Sequence, residues 1–178
     1  KAQVATSSIS PGANQTAAYF SGLKNKKIGM VVNHTSTIGQ KLSVDSLIAA
    51  GFSPSKVFAP EHGFRGESSN GASISNNIDE KTGIPIISLY GKHLKPSAAD
   101  LNGLDLVIFD IQDVGARFYT YISTLHYVME ACAENKIPLL VLDRPNPNGF
   151  YVDGPVLEPS LKSFIGMHPV PIVYGMTI

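Results

Sequence analysis

Glu61, His62 and Arg65 lie in one stretch, Phe58-Ala59-Pro60-Glu61-His62-Gly63-Phe64-Arg65-Gly66. Glu67 brings a fourth charged or titratable side chain within seven residues. A carboxylate beside an imidazole suits proton transfer, and a guanidinium suits an anion. Glycines at 63 and 66 let such a loop turn tightly and approach a ligand. The plainer alternative is a salt-bridged loop in which Arg65 pairs Glu61 or Glu67. The segment before it, Lys56 to Pro60, is a short apolar run of the kind that forms a buried strand.

The same arrangement recurs along the chain. Apolar runs at 28–32, 56–60, 84–89, 104–109 and 137–142 read as strands, with a possible sixth at 170–173. Their carboxyl ends carry Asn33 and His34; Glu61, His62 and Arg65; Tyr90; Asp110, Gln112, Asp113 and Arg117; and Asp143, Arg144 and Asn146. The amino ends carry only Lys26, Lys27, Lys56 and Asp105, ordinary solvated charges. Helices fit between the strands. One is expected within 14–23 with Ala17, Ala18, Phe20 and Leu23 inward. A second is capped by Ser43 or Asp45 and stopped by Gly51, and a third covers 96–101. A long one buries Phe118, Ile122, Leu125, Met129 and Cys132. Strands apolar throughout and separated by helices predict an α/β, Rossmann-like doubly wound, mostly parallel sheet with helices on both faces. Residues 1–23 form a polar tail and short helix, and 24–178 the domain. The polar stretch from Gly66 to Gly83, rich in Ser, Asn and Gly between 68 and 77, is long enough to predict a functional or mobile loop.

Composition narrows the chemistry. The chain has 178 residues, 43% hydrophobic and 16% charged, with zero net charge and no basic stripe. A nucleic-acid partner is not expected. No apolar run reaches the length of a membrane span. Cys132 is the single cysteine and lies on the apolar stripe of the long helix, where core packing explains it; His126 on that helix is read as structural. No Gly-x-Gly-x-x-Gly, Walker loop or Gly-x-Ser-x-Gly elbow is present, so no cofactor is expected. His62, Asp110 and Asp113 lack metal-ligand spacing, and no metal is expected. What remains is carboxylates with arginines. Paired carboxylates cleave glycosidic bonds, and arginines in the same site suit an anionic substrate. The apolar neighbours Phe58, Pro60 and Phe64 would raise the Glu61 pKa as a general acid requires; His62 and Arg65 would oppose that, leaving the ionised base or stabiliser open. Asp113 and Arg117 are both expected at the carboxyl edge, either paired or with Arg117 on a substrate carboxylate.

Four motifs carry a family resemblance: Pro60 to Gly66, Ser88-Leu89-Tyr90-Gly91, Phe109 to Tyr121, and Leu142-Asp143-Arg144-Pro145-Asn146-Pro147. Asp153 to Leu157 and Pro171 to Thr177 extend it. The chain from about 24 to 178 resembles the exo-β-N-acetylmuramidase family (NamZ-like). The resemblance implies a Rossmann-like amino-terminal part and a carboxyl-terminal domain of the same protein that completes the cleft. It implies release of N-acetylmuramic acid from the non-reducing ends of peptidoglycan fragments. The lactyl carboxylate of that sugar would account for arginines in a glycosidase site. Glu61, His62 and Asp113 are then the catalytic candidates. Asn33, Arg65, Tyr90, Asp110, Gln112, Arg117, Tyr119, Asp143, Arg144 and Asn146 are the candidates for holding the sugar. The polar first residues resemble the leader that follows a cleaved signal peptide, which fits a periplasmic or extracellular protein. The Met176-Thr177 end resembles a helix start and fits a chain that continues. Two other readings stay open: a non-catalytic muropeptide or anionic-sugar binding module, and a metal-dependent hydrolase.

Overall fold

The computed structural model describes residues 9–66 and 77–178. Strands β1 (Ile28–Val32), β4 (Lys56–Ala59), β6 (Pro85–Ser88), β7 (Leu106–Asp110) and β8 (Leu139–Val141) run parallel, and β5 (Asn77–Ile78) pairs antiparallel with β6. The sheet order is β5-β6-β4-β1-β7-β8. Numbering only the parallel strands, this is 3-2-1-4-5, the doubly wound order whose direction reverses between β1 and β7. A small antiparallel pair, β2 (Thr37–Ile38) and β3 (Lys41–Leu42), follows β1.

The central strands are apolar nearly throughout because both faces are covered, with Lys56 at the start of β4 and Asp110 at the end of β7 the charged exceptions. All five residues of β1 and all five of β7 are buried. Alternate side chains enter different cores. Met30, Val32, Val57, Ala59 and Ile108 pack with Tyr19, Leu23, Val44 and Leu47 on one face. Val31, Phe58, Val107 and Phe109 pack with Leu101, Leu125, Val128 and Cys132 on the other. The first face is covered by α1 (Thr16–Tyr19), the 3-10 turns flanking it and α2 (Ser43–Ala49); the second by α3 (Ala98–Leu101) and α4 (Tyr121–Glu134). Ser97 and Asp100 form a capping box on α3.

Several expectations change. The segment 14–23 is one turn of α-helix between two 3-10 turns, and it buries Ala13, Tyr19 and Leu23 while Ala17 and Ala18 face solvent. It is docked on the sheet: the Tyr19 hydroxyl donates to the Ala13 carbonyl, and the Gly12 N–H donates to the Asp143 carbonyl at 2.6 Å. Leu42, not Ser43 or Asp45, occupies the cap position of α2, because the Asp45 carboxylate is taken by Arg65 and Lys81. Helix α4 starts at Tyr121, so Phe118 lies outside it, exposed, and Met129 also faces solvent. The buried stripe is Tyr121, Leu125, Val128 and Cys132. The delay comes from residues 111–120, which form an irregular loop where Gly115 adopts φ 71° and Ala116 bridges to Val173. The run 170–173 is not a strand of the sheet; Val173 makes isolated bridges to Ala116 and Asp153. Glu67 and most of the polar loop expected at 66–83 lie outside the described residues.

Candidate active site

At the reversal between β1 and β7, the chain ends of both strands are tied together. Asn33 is fully buried; its Oδ1 accepts from the Thr35 N–H at 2.9 Å and the Thr35 hydroxyl at 2.6 Å. The Asn33 N–H donates to Ser36 Oγ, and the Ser36 hydroxyl donates to the carbonyl of Asp110. Thr35 Oγ1 accepts from the Gln112 N–H, so the β1 turn and the β7 exit share one network. Burial raises the pKa of the Tyr121 phenol, an effect the Asn33 side chain partly restrains, while Asn33 Nδ2 is buried with no hydrogen-bond partner among the described residues.

Asp110 is a strut. Its side chain is 0% exposed and accepts Arg144 Nε at 2.7 Å and Nη2 at 3.2 Å, while Nη2 also reaches the Thr37 carbonyl. Arg144 therefore bolts the exit of β8 to β7 and β2. Both residues were expected to hold the sugar; the structure commits them to each other, because a buried charge needs a counter-charge and filled hydrogen bonds.

Asp113 is also buried. Its Oδ2 accepts from the Gly115 N–H at 2.9 Å and from the Tyr174 hydroxyl, while Oδ1 has no partner among the described residues. Burial pushes its carboxyl above the usual range, and the donors from Tyr174 and Gly115 only partly offset that. Tyr174 is itself raised, by burial and by this carboxylate. The Asp113–Arg117 pair, one of the two alternatives expected, does not form. Arg117 is buried and donates through Nη1 to the carbonyls of Pro155 at 3.1 Å and Val170 at 2.6 Å, because the loop 111–120 turns it toward the 155–170 segment. Gln112 donates to the carbonyls of Asp113 and Pro145. Asn146 holds Met176 and Asn148 and leaves no room for a Cβ at Gly115, which would run into its side-chain amide.

Glu61 stands differently. It is half-buried at the exit of β4, and its Oε1 accepts the Tyr90 hydroxyl from the exit of β6 at 3.2 Å. The Glu61 charge raises the Tyr90 phenol. His62 follows at φ 74°, its ring 6.5 Å from that of His34 and edge-on to it. Arg65 pairs with neither Glu61 nor the solvent edge: it grips Asp79 and Asp45. Asp143 is exposed and Tyr119 is exposed on the loop before α4. Asp143, Asn146, Gln15 and Phe150 line a cavity of about 570 Å³ beside the exit of β8.

Thus the fold brings Glu61, Tyr90, His62 and Asn33 to one edge, and turns Arg65, Asp110, Arg117 and Arg144 into supports. Tyr174, Tyr121, Asp45 and Asp79 were missed. Their partners lie 61, 20 and 14 residues away for Tyr174, Asp45 and Asp79, separations at which spacing carries no signal. Among the described residues, no group of three or more His, Cys, Asp or Glu side chains could hold a metal ion.

The sheet order, and the polar side chains gathered at its carboxyl edge where the order reverses, define a Rossmann-like domain with a site at the topological switch point. The chain belongs to the family described as "Exo-beta-N-acetylmuramidase NamZ, N-terminal", whose model matches residues 28–178. It is 49% identical over 163 residues to the peptidoglycan beta-N-acetylmuramidase NamZ of Bacillus subtilis (strain 168), covering 90% of this chain and 39% of that protein. Two crystal structures of DUF1343 family proteins from Bacteroides fragilis superpose with TM-scores of 0.81 and 0.84, at 50% and 37% identity. Each alignment covers 94% of this chain and 43% of the solved one. The chain spans about two-fifths of the length of these relatives.

Proposed function

We propose that this chain is the Rossmann-like part of a glycoside hydrolase that releases N-acetylmuramic acid from the non-reducing ends of peptidoglycan fragments during wall turnover or recycling. The observation that carries the reading is Glu61: a half-buried carboxylate at a strand exit, oriented by the Tyr90 hydroxyl, in a chain so similar to a peptidoglycan β-N-acetylmuramidase. In this reading Glu61 moves the proton at the glycosidic oxygen or at the attacking water. Asp113 is the second carboxyl, kept toward its neutral form by burial. Two carboxyls in contrasting surroundings are the arrangement from which acid and base roles separate.

A second domain of the same protein would complete the cleft. The large apolar side chains left exposed between Phe150 and Met176, including Val152, Val156, Leu161 and Ile165, support such a covering surface. Because the proposed substrate is wall material, we infer an exported protein, periplasmic or extracellular. Among the described residues, no helix is long and apolar enough to cross a membrane.

The test uses the full-length protein and a chromogenic N-acetylmuramic acid β-glycoside. Glu61→Gln keeps size and removes proton transfer, so turnover should fall about a hundredfold to ten-thousandfold. A folded Glu61→Gln protein that keeps more than roughly a tenth of wild-type turnover, far above that range, refutes the catalytic role. Tight binding of muropeptide by wild type with no sugar released would favour the binding-module reading.

A further inference from the structure

The loop that carries Glu61 leaves β4 in an unusual backbone conformation. His62 and Gly63 have φ of 74° and 75°, and Gly66 has 78°. For a histidine this region is costly and persists only where the surroundings enforce it. Among the described residues, the loop's own backbone hydrogen bonding is the Gly63 N–H donating to the Pro60 carbonyl at 3.1 Å. Two side chains do the enforcing. Phe64 is sunk in the core, and the Arg65 guanidinium lies 4.5 Å over its ring.

Arg65 then makes a fork with Asp79, Nε to Oδ1 at 2.6 Å and Nη2 to Oδ2 at 2.7 Å. Nη2 and Nη1 also reach Asp45 at 3.1 and 3.4 Å. Asp79 is 4% exposed and is fixed in turn by the Thr82 hydroxyl and N–H; Asp45, on α2, is also held by Lys81. The guanidinium thus joins the Glu61 loop to α2 and to the segment after β5, and its nitrogens are all donating to carboxylates.

We infer that Arg65 is a positioning residue for Glu61: clamped between Asp79 and Asp45, it sets the loop that presents the Glu61 carboxylate beside Tyr90. The inference rests on the proposed glycosidase reading, and it replaces a direct grip of Arg65 on substrate. Lysine keeps the charge but cannot reproduce the planar fork, so Arg65→Lys separates the two roles.

In the full-length protein, with folding checked by circular dichroism, Arg65→Lys and Asp79→Asn should each lower kcat about tenfold to a hundredfold, the cost of a small misplacement of a reacting group. KM on the muramic acid glycoside should stay within about twofold, since the lost interaction is not with substrate. The double variant should be no worse than the poorer single one, because both break one clamp. A KM rise with kcat unchanged, or unchanged kcat in folded variants, overturns the inference. A readout independent of turnover is the Tyr90 titration, followed by NMR with ¹³C-labelled tyrosine and assigned with Tyr90→Phe. The Glu61 charge raises this phenol, so its midpoint should drop toward the ordinary tyrosine value in Arg65→Lys; an unmoved midpoint also overturns the clamp. If wild type cleaves no muramic acid glycoside, the glycosidase reading fails while the Tyr90 titration still decides what Arg65 does.

Discussion

Asp110→Asn separates a support from a substrate contact. The Asp110 side chain is 0% exposed and that of Arg144 is 6% exposed, and the carboxylate accepts two guanidinium nitrogens. Asparagine fits the space but removes the counter-charge, leaving the buried guanidinium with neutral acceptors only, the amide oxygen and the Thr37 carbonyl, and setting the amide NH2 against a guanidinium donor. Breaking one side of a buried pair costs about 3–5 kcal/mol, because the remaining charge is stranded. In a domain of this size each kcal/mol lowers Tm by about 2–4 °C, so Asp110→Asn should melt roughly 6–20 °C below wild type. Replacing both partners with apolar residues of matched volume should recover much of the loss. Thermal unfolding by circular dichroism measures both. An Asp110→Asn protein with wild-type Tm and abolished turnover would refute the strut and return Asp110 to the substrate.

Asp113→Asn should behave in the opposite sense. Burial raises the Asp113 carboxyl in the folded state, so its contribution is fully present at low pH and is lost as pH rises through the raised folded value. The asparagine variant should therefore be at least as stable as wild type at neutral pH, with a flatter stability profile on denaturant titration across pH, and less active if Asp113 handles protons. Arg117 has no carboxylate partner among the described residues and donates instead to the carbonyls of Pro155 and Val170, so its guanidinium ties down backbone. Arg117→Lys should reduce turnover of muramic acid glycosides and of glucosamine analogues lacking the lactyl group alike, and a loss confined to the muramic acid substrates would refute the support and assign Arg117 to carboxylate recognition. The 178-residue chain by itself should turn over a muramic acid glycoside weakly, since an open edge forfeits the exclusion of water; full-rate activity from it would refute the need for a second domain.

The α/β class and every parallel strand were legible because strands covered on both faces are apolar nearly throughout, a pattern that survives small errors at the ends. The two-residue strands β2, β3 and β5 were not, since Thr37–Ile38, Lys41–Leu42 and Asn77–Ile78 are too short for any period to appear. Helix α4 was legible as a helix but not in its phase. Phe118 extended the apolar stripe on paper, while the Gly115 turn and the Ala116–Val173 bridge postpone the first helical turn to Tyr121. At the site, the carboxyl edge was readable from strand ends alone, and so was the position of Glu61 at the exit of β4. The partners of the arginines were not. Arg65 meets Asp79 across a loop and Arg144 meets Asp110 across two strands, and only the folded chain brings those carboxylates near. Charge beside a glycine-rich loop is equally good evidence for a ligand and for a strut.

That ambiguity resolves in a consistent direction. The arginines at the edge hold backbone: Arg65 pins the exit of β4 to α2, Arg144 pins the exit of β8 to β7 and β2, and Arg117 pins the loop before α4 to the 155–170 segment. A reacting group must be held within about half an ångström of its working position, which exposed loops do not achieve unaided. Glu61, by contrast, carries a single neutral hydrogen bond from Tyr90, which orients one oxygen and leaves the other uncommitted among the described contacts. A carboxylate gripped by a guanidinium would be held in its charged form and would be a poor proton donor. The ion pairs are spent on the loops, and the carboxylate proposed to exchange a proton is kept outside them.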